Sequence, residues 1–128
     1  MVTITITGGP SVQVPWQQGM NGQTAIEAAY NALSPQKSFT YVLQYYGSQL
    51  GYLVEMINGT YDSFLSTYAP YFFWDFIVNG TASNTGIDNT TINDGDIITF
   101  TYTTYNAISH ADTTLATKFA AKSATISN

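Results

Sequence analysis

The residues able to do bond-making chemistry are few, and they do not converge along the chain. The one histidine, His110, stands two residues before Asp112. A hydrolytic triad needs a base oriented by a carboxylate in this way, beside a nucleophile. Nothing marks a nucleophile here, and the stretch around the pair is polar, so the histidine reads as solvated. Glu55 and Asp75 are the acids inside apolar runs. A glycosidase pair would need both on one cleft, whereas acids on half-buried strands point to solvent. Asp88, Asn93, Asp94 and Asp96 gather hard oxygen donors in one loop, the ligand type of Ca²⁺. Their spacing departs from an EF-hand, and Asn-Asp-Gly-Asp is also ordinary turn chemistry. Lys37 and Glu55 are components for a Lys–Asn isopeptide crosslink assisted by a buried acid. Taken together, the expectation is a protein that is not an enzyme and has no resident cofactor.

Two other residue classes point toward recognition. Asn58-Gly59-Thr60, Asn79-Gly80-Thr81 and Asn89-Thr90-Thr91 are glycosylation sequons, all at expected turns, making Asn58, Asn79 and Asn89 candidate glycan carriers. Aromatic rings are abundant: Tyr41, Tyr45, Tyr46 and Tyr52, then Tyr68, Tyr71, Phe72, Phe73 and Trp74. They exceed what one side of a small sheet can bury. Tyr45, Tyr52, Tyr68, Tyr71, Phe73 and Trp74 are therefore expected to face a ligand or a partner, where aromatic anchors are favoured.

The elements that must position these residues follow from hydrophobic period. Val2–Thr7 alternates apolar residues with threonine, as a half-buried strand does. Ser11–Trp16 follows Gly8-Gly9-Pro10 as a second strand, with Pro15 suited to an edge or a strand end. Thr24-Ala25-Ile26-Glu27 has capping-box spacing. Ile26, Ala29, Tyr30 and Leu33 then recur on one helical face until Ser34-Pro35. Phe39–Tyr46 and Gly51–Ile57 form a hairpin, and Tyr71–Val78 and Ile97–Tyr102 form a pair of core strands. Thr60–Pro70 is compatible with a short helix or a loop. The Ala-, Thr- and Ser-rich stretch 106–128 fits helix or strand alike.

Within the core pair, Trp74, Phe76, Val78, Asn79 and Gly80, then Gly86, then Asp94, Gly95 and Asp96 form a recognisable series. The series resembles the C-terminal β-domain of the cobalamin carriers transcobalamin and intrinsic factor. It is closer still to stand-alone prokaryotic relatives of that domain, a family mostly of unknown function. The resemblance covers residues 2–105 and implies an α+β fold: a β-grasp-like mixed sheet packed on one helix, with 106–128 as a C-terminal extension. In the carriers this domain closes over a corrin held by a separate helical domain. Cobalamin is thus an implied ligand of which this chain would supply half the site. Asp-Gly-Asp also opens the last strand of small sulfur carriers. Those end in Gly-Gly, and the close on Ile126-Ser127-Asn128 leads us to expect no such chemistry.

Composition narrows the partners. Charged residues make up 9% of the 128, aromatic ones 15%, and the net charge is −5. Three lysines and no arginine make nucleic acid an unfavourable partner, since phosphate must be neutralised by cations. No run approaches the roughly 18 apolar residues of a membrane span, and no cysteine is present for a disulfide or thiolate site. Met1 leads directly into VTITIT, as in a mature secreted form with an added Met or a virion component made without a leader. The charge-poor, hydroxyl-rich surface suits an extracellular, cell-surface or virion protein. The expected function is a non-catalytic structural or adhesive subunit, a homo-oligomer or polymer that self-associates through exposed aromatics and strand addition by 106–128. The alternative is a module binding a glycan or corrinoid on its Tyr/Trp face.

Overall fold

The computed structural model describes residues 1–48, 50–63, 69–83 and 85–105. Along the chain these form β1 (Val2–Ile6), β2 (Ser11–Val14), α1 (Gly22–Ala32), β3 (Tyr41–Tyr45) and β4 (Tyr52–Ile57). They continue as β5 (Thr60–Tyr61), β6 (Phe72–Val78), β7 (Thr81–Ala82), a 3-10 turn (Ile87–Asn89) and β8 (Ile97–Thr104).

The alternation in β1 buries Val2, Ile4 and Ile6 and leaves the intervening threonines half-exposed. β2 returns antiparallel, with Val14 opposite Val2. On the other side of β1 lies β8, parallel to it, with Ile98 opposite Ile4 and Phe100 opposite Ile6. β6 then pairs antiparallel with β8, with Phe76 opposite Phe100. The resulting order, β2-β1-β8-β6-β7, is the β-grasp arrangement implied by the sequence. Even-numbered residues of β1, β6 and β8 share one face, and Ala25, Ile26 and Ala29 of α1 join them in the core. The stacked rings of Phe76 and Phe100, 5.4 Å apart, lie at its centre. Each such fully buried side chain contributes about 1.5–3 kcal/mol.

The helix starts earlier than its sequence signal suggested. Asn21 is the N-cap: its Oδ1 accepts from Thr24 N at 2.9 Å, and Asn21 N donates to Thr24 Oγ1 at 2.9 Å. Thr24 therefore supplies the reciprocal arm of the capping box rather than the cap, and Glu27 is exposed. Gly22 is needed at the first turn. A Cβ there would come within 2.7 Å of both Ile87 O and the Phe76 ring.

The hairpin does not join the main sheet. β3, β4 and β5 make a second, three-stranded sheet. The register explains the separation: Val42 pairs with Met56 but Leu43 with Val54, so Glu55 is an extra residue in β4. This bulge shifts the alternation, and Val54 and Ile57 both turn to the core while the strand bends away. The two Asn-Gly pairs, at the expected turns, are two-residue hairpin turns. Asn58 and Asn79 have φ of 52°, and Gly59 and Gly80 have φ of 83°, the positive values a type I′ turn requires at both central positions. They lead into the short strands β5 and β7. Part of Thr60–Pro70, and all of 106–128, lie outside the described residues.

Candidate functional site

The series that carries the family resemblance builds the fold. Asp96 Oδ1 accepts from Asn79 Nδ2 at 2.8 Å, and its Oδ2 accepts from Asn93 N at 2.8 Å. Asn79 Oδ1 in turn accepts from Ile97 N at 2.8 Å. The turn after β6 is thereby locked to the turn before β8. Gly86 lies so close to the backbone of Leu50 and Tyr52 that no side chain fits. Asp94 Oδ1 meets the Met1 ammonium at 2.6 Å. Asp88 Oδ1 accepts from Tyr52 N at 2.7 Å and ties the 3-10 turn to β4. The three carboxylates considered for Ca²⁺ thus serve three separate structural contacts, and Asn93 joins one of them through its backbone N–H. Among the described residues no three acidic or imidazole groups are gathered as a metal would require.

The aromatic candidates divide sharply. Phe73 is fully buried, on the odd-numbered face of β6, with Tyr71 and Tyr105 packed against it. Trp74 is only 9% exposed: it leans on Tyr102 at 5.1 Å and its Nε1 donates to Thr60 O at 2.8 Å. Neither ring is available to a ligand, which corrects the expectation for both; Thr60 of β5 and Tyr102 of β8 cover Trp74, and Tyr71 and Tyr105 pack on Phe73. Tyr71 is half-buried, and Tyr68 lies outside the described residues. Tyr45, 51% exposed, packs at 4.9 Å on the half-buried Tyr52. Of the five described rings, Tyr45 is the exposed one.

Glu55 was expected to face solvent. It is 5% exposed, because the bulge turns it inward, and its Oε1 accepts from Tyr46 Oη at 2.8 Å. Burial, followed by that hydrogen bond, pushes the Tyr46 phenol well above its usual range. Burial likewise raises Tyr41, ahead of the Glu27 charge, and Tyr102, ahead of the Asp62 charge. Lys37 is exposed in the turn after α1. His110 and Asp112 lie outside the described residues. Asn58, Asn79 and Asn89 are all exposed, but the acceptor nitrogen of Asn79 is held by Asp96.

The surface left open is an edge. Asn58 N donates to Thr40 O and Tyr46 N to Gly51 O. By strand alternation, Thr40, Val42, Gln44 and Tyr46 direct their backbone groups to β4, and Tyr41, Leu43 and Tyr45 direct theirs away from it. β3 is the outermost strand of its sheet, and among the described residues nothing pairs with that side. Its sequence, YVLQY, holds no charge and no proline, and Val42 is 39% exposed. Edge strands are ordinarily blunted by lysine, proline or a bulge. Here the bulge is on the inner strand. Val42 went unmarked in the sequence because period alone does not say which strand of a hairpin is the outer one.

These features define a small α+β domain with a β-grasp sheet, a second sheet beside it and an uncharged outer strand, β3. The chain belongs to the family described as a domain of unknown function, DUF4430, whose pattern matches residues 22–104, from the first turn of α1 to the end of β8. Among solved structures, a crystal structure described as a "putative metal binding protein" from Ruminococcus gnavus is similar at 13% identity and a TM-score of 0.49. The similarity covers 82% of this chain and 95% of that one. No curated protein matches the chain significantly.

Proposed function

We propose that this domain is a non-catalytic structural subunit whose β3 edge accepts a strand from a neighbouring copy. The observation that carries the reading is the uncharged, outward-facing side of β3, with Tyr41, Leu43 and Tyr45 offering N–H and C=O groups in a row. The donor is the segment 106–128, which follows directly on the end of β8 and is mostly small, neutral and β-branched or hydroxylated. Extended, each of its residues spans about 3.3–3.6 Å, enough to reach from one domain to the next. The low charge, scarce lysine and exposed sequons support an extracellular or virion setting.

The test is the mass and shape of the full chain in solution, by light scattering and negative-stain microscopy. Association is expected for the full chain. Loss of it is expected for Tyr45→Pro, which removes an outward N–H without touching the β3–β4 hydrogen bonds, and for a chain ending at residue 105. A full chain that stays monomeric at high concentration would falsify the reading.

We also propose kinship with the transcobalamin β-domain, supported by the strand order and by the Asn79–Asp96 clamp built from the shared series. Because Phe73 and Trp74 are buried, the isolated domain, with the exposed Trp16 replaced by Phe, is expected to leave Trp fluorescence unchanged on titration with cobalamin. A saturable change would restore corrinoid binding as the better reading.

A further inference from the structure

A cleft of about 360 Å³ opens where α1 ends, between its last turn and the Asn58-Gly59 turn. We propose that this cleft binds a neutral sugar ring of a glycan, at a place separate from the β3 edge.

The chemistry of its walls selects the ligand. Tyr30 supplies aromatic surface backed by the buried Phe39, and Asn31, Ser38, Thr40 and Asn58 supply neutral hydrogen-bonding groups. Among the described residues no ionised side chain lines it, so a phosphate or carboxylate ligand would find no counter-charge there. A purely apolar ligand would leave the amides and hydroxyls without partners. A sugar satisfies both sets: its C–H face lies on a ring, and its hydroxyls both donate and accept. The volume is at the lower end of the roughly 300–1,000 Å³ of small-molecule sites.

The cleft is also pre-organised. Tyr30 is 44% exposed, yet Phe39 holds it edge-on at 6.0 Å and Tyr41 at 5.7 Å, so its ring has a fixed direction. Asn58 is fixed by its Oδ1, which accepts from Thr40 N at 3.1 Å, and by its own N, which donates to Thr40 O at 2.9 Å. Its Nδ2 makes no hydrogen bond among the described residues. α1 ends here with no basic residue in its last turn, and carbonyls of that turn have no intrahelical partner. Ser38 Oγ reaches the Tyr30 carbonyl at only 3.4 Å, leaving the helix end open to a stronger donor. Rings and acceptors that need no reordering lower the cost of binding.

The test is an NMR titration of the full chain with maltose, mannobiose and N,N′-diacetylchitobiose in turn. At least one sugar is expected to shift the amide signals of Tyr30, Phe39, Thr40 and Asn58 together, and Tyr30→Ala to weaken it at least tenfold. Asn31→Ala, an exposed change that keeps the rings intact, is expected to weaken it several-fold and guards against a Tyr30 variant that fails to fold. Tyr30→Phe is expected to retain binding. No shift with any of the three sugars, shifts centred elsewhere, or full affinity in both alanine variants would overturn the site.

Discussion

The two sheets of this domain are built from the same residue types and put them to opposite uses. In the five-stranded sheet, Phe76, Phe100, Trp74 and Ile98 turn inward, and the polar residues between strands lock turns to one another. In the three-stranded sheet, the inner strand bends at Glu55 and the outer strand leaves Val42 and Tyr45 in solvent. The difference lies in neighbours. β8 and β1 have strands on both sides, whereas β3 has one on a single side. Aromatic content alone therefore says nothing about exposure; a ring's fate is set by whether another strand lies beyond its own.

This contrast can be broken from its strongest point downward. Phe100→Ala removes a fully buried ring from the stack with Phe76 and is expected to cost about 3–5 kcal/mol in urea unfolding. A much smaller loss would mean that the main sheet is not the stabilising half. Tyr46→Phe leaves the buried Glu55 without its phenolic donor, at a cost of about 1–3 kcal/mol. The same variant tests a pH dependence. The folded-state pKa of Tyr46 lies above its unfolded value near 10, so the neutral phenol's contribution is complete below pH 10. It is lost as pH rises beyond that, because the unfolded chain releases this proton first. Unfolding curves measured across that range should fall more steeply for wild type than for Tyr46→Phe.

Asp96→Ala cuts the clamp between the turns at both carboxylate oxygens. Because the group is partly solvated, the expected cost is about 1–2 kcal/mol, read as a lowered urea midpoint. Val42→Lys should change stability by no more than about 0.5 kcal/mol, since the residue faces solvent. It should nonetheless abolish association in light scattering, as an edge lysine does. Association that survives both this change and Tyr45→Pro would move the contact surface elsewhere.

Much of the frame was legible because period-two alternation in β1 and the aromatic runs of β6 and β8 are local signals with a direct physical cause. So was the capped helix, although Asn21 rather than Thr24 is its cap. Two things were not legible. Glu55 carries no mark that it is the extra residue of a bulge, since that depends on register with β3. Trp74 gave no sign of being covered from β5, hidden behind an Asn-Gly pair, or from β8, far along the chain, and Phe73 gave none of its packing with Tyr71 and Tyr105. The open edge of β3 was invisible for the same reason: an edge is a property of the sheet, not of the strand.

The parallel pairing of Thr3 with Ile97 and of Ile6 with Phe100 joins the two ends of the described chain through its middle strands. Until residues near 100 have been synthesised, β1 has β2 on one side and nothing on the other. So distant a pairing delays folding, because the intervening chain must first be gathered in. On the ribosome, β1 gains this neighbour only after every intervening element has been made.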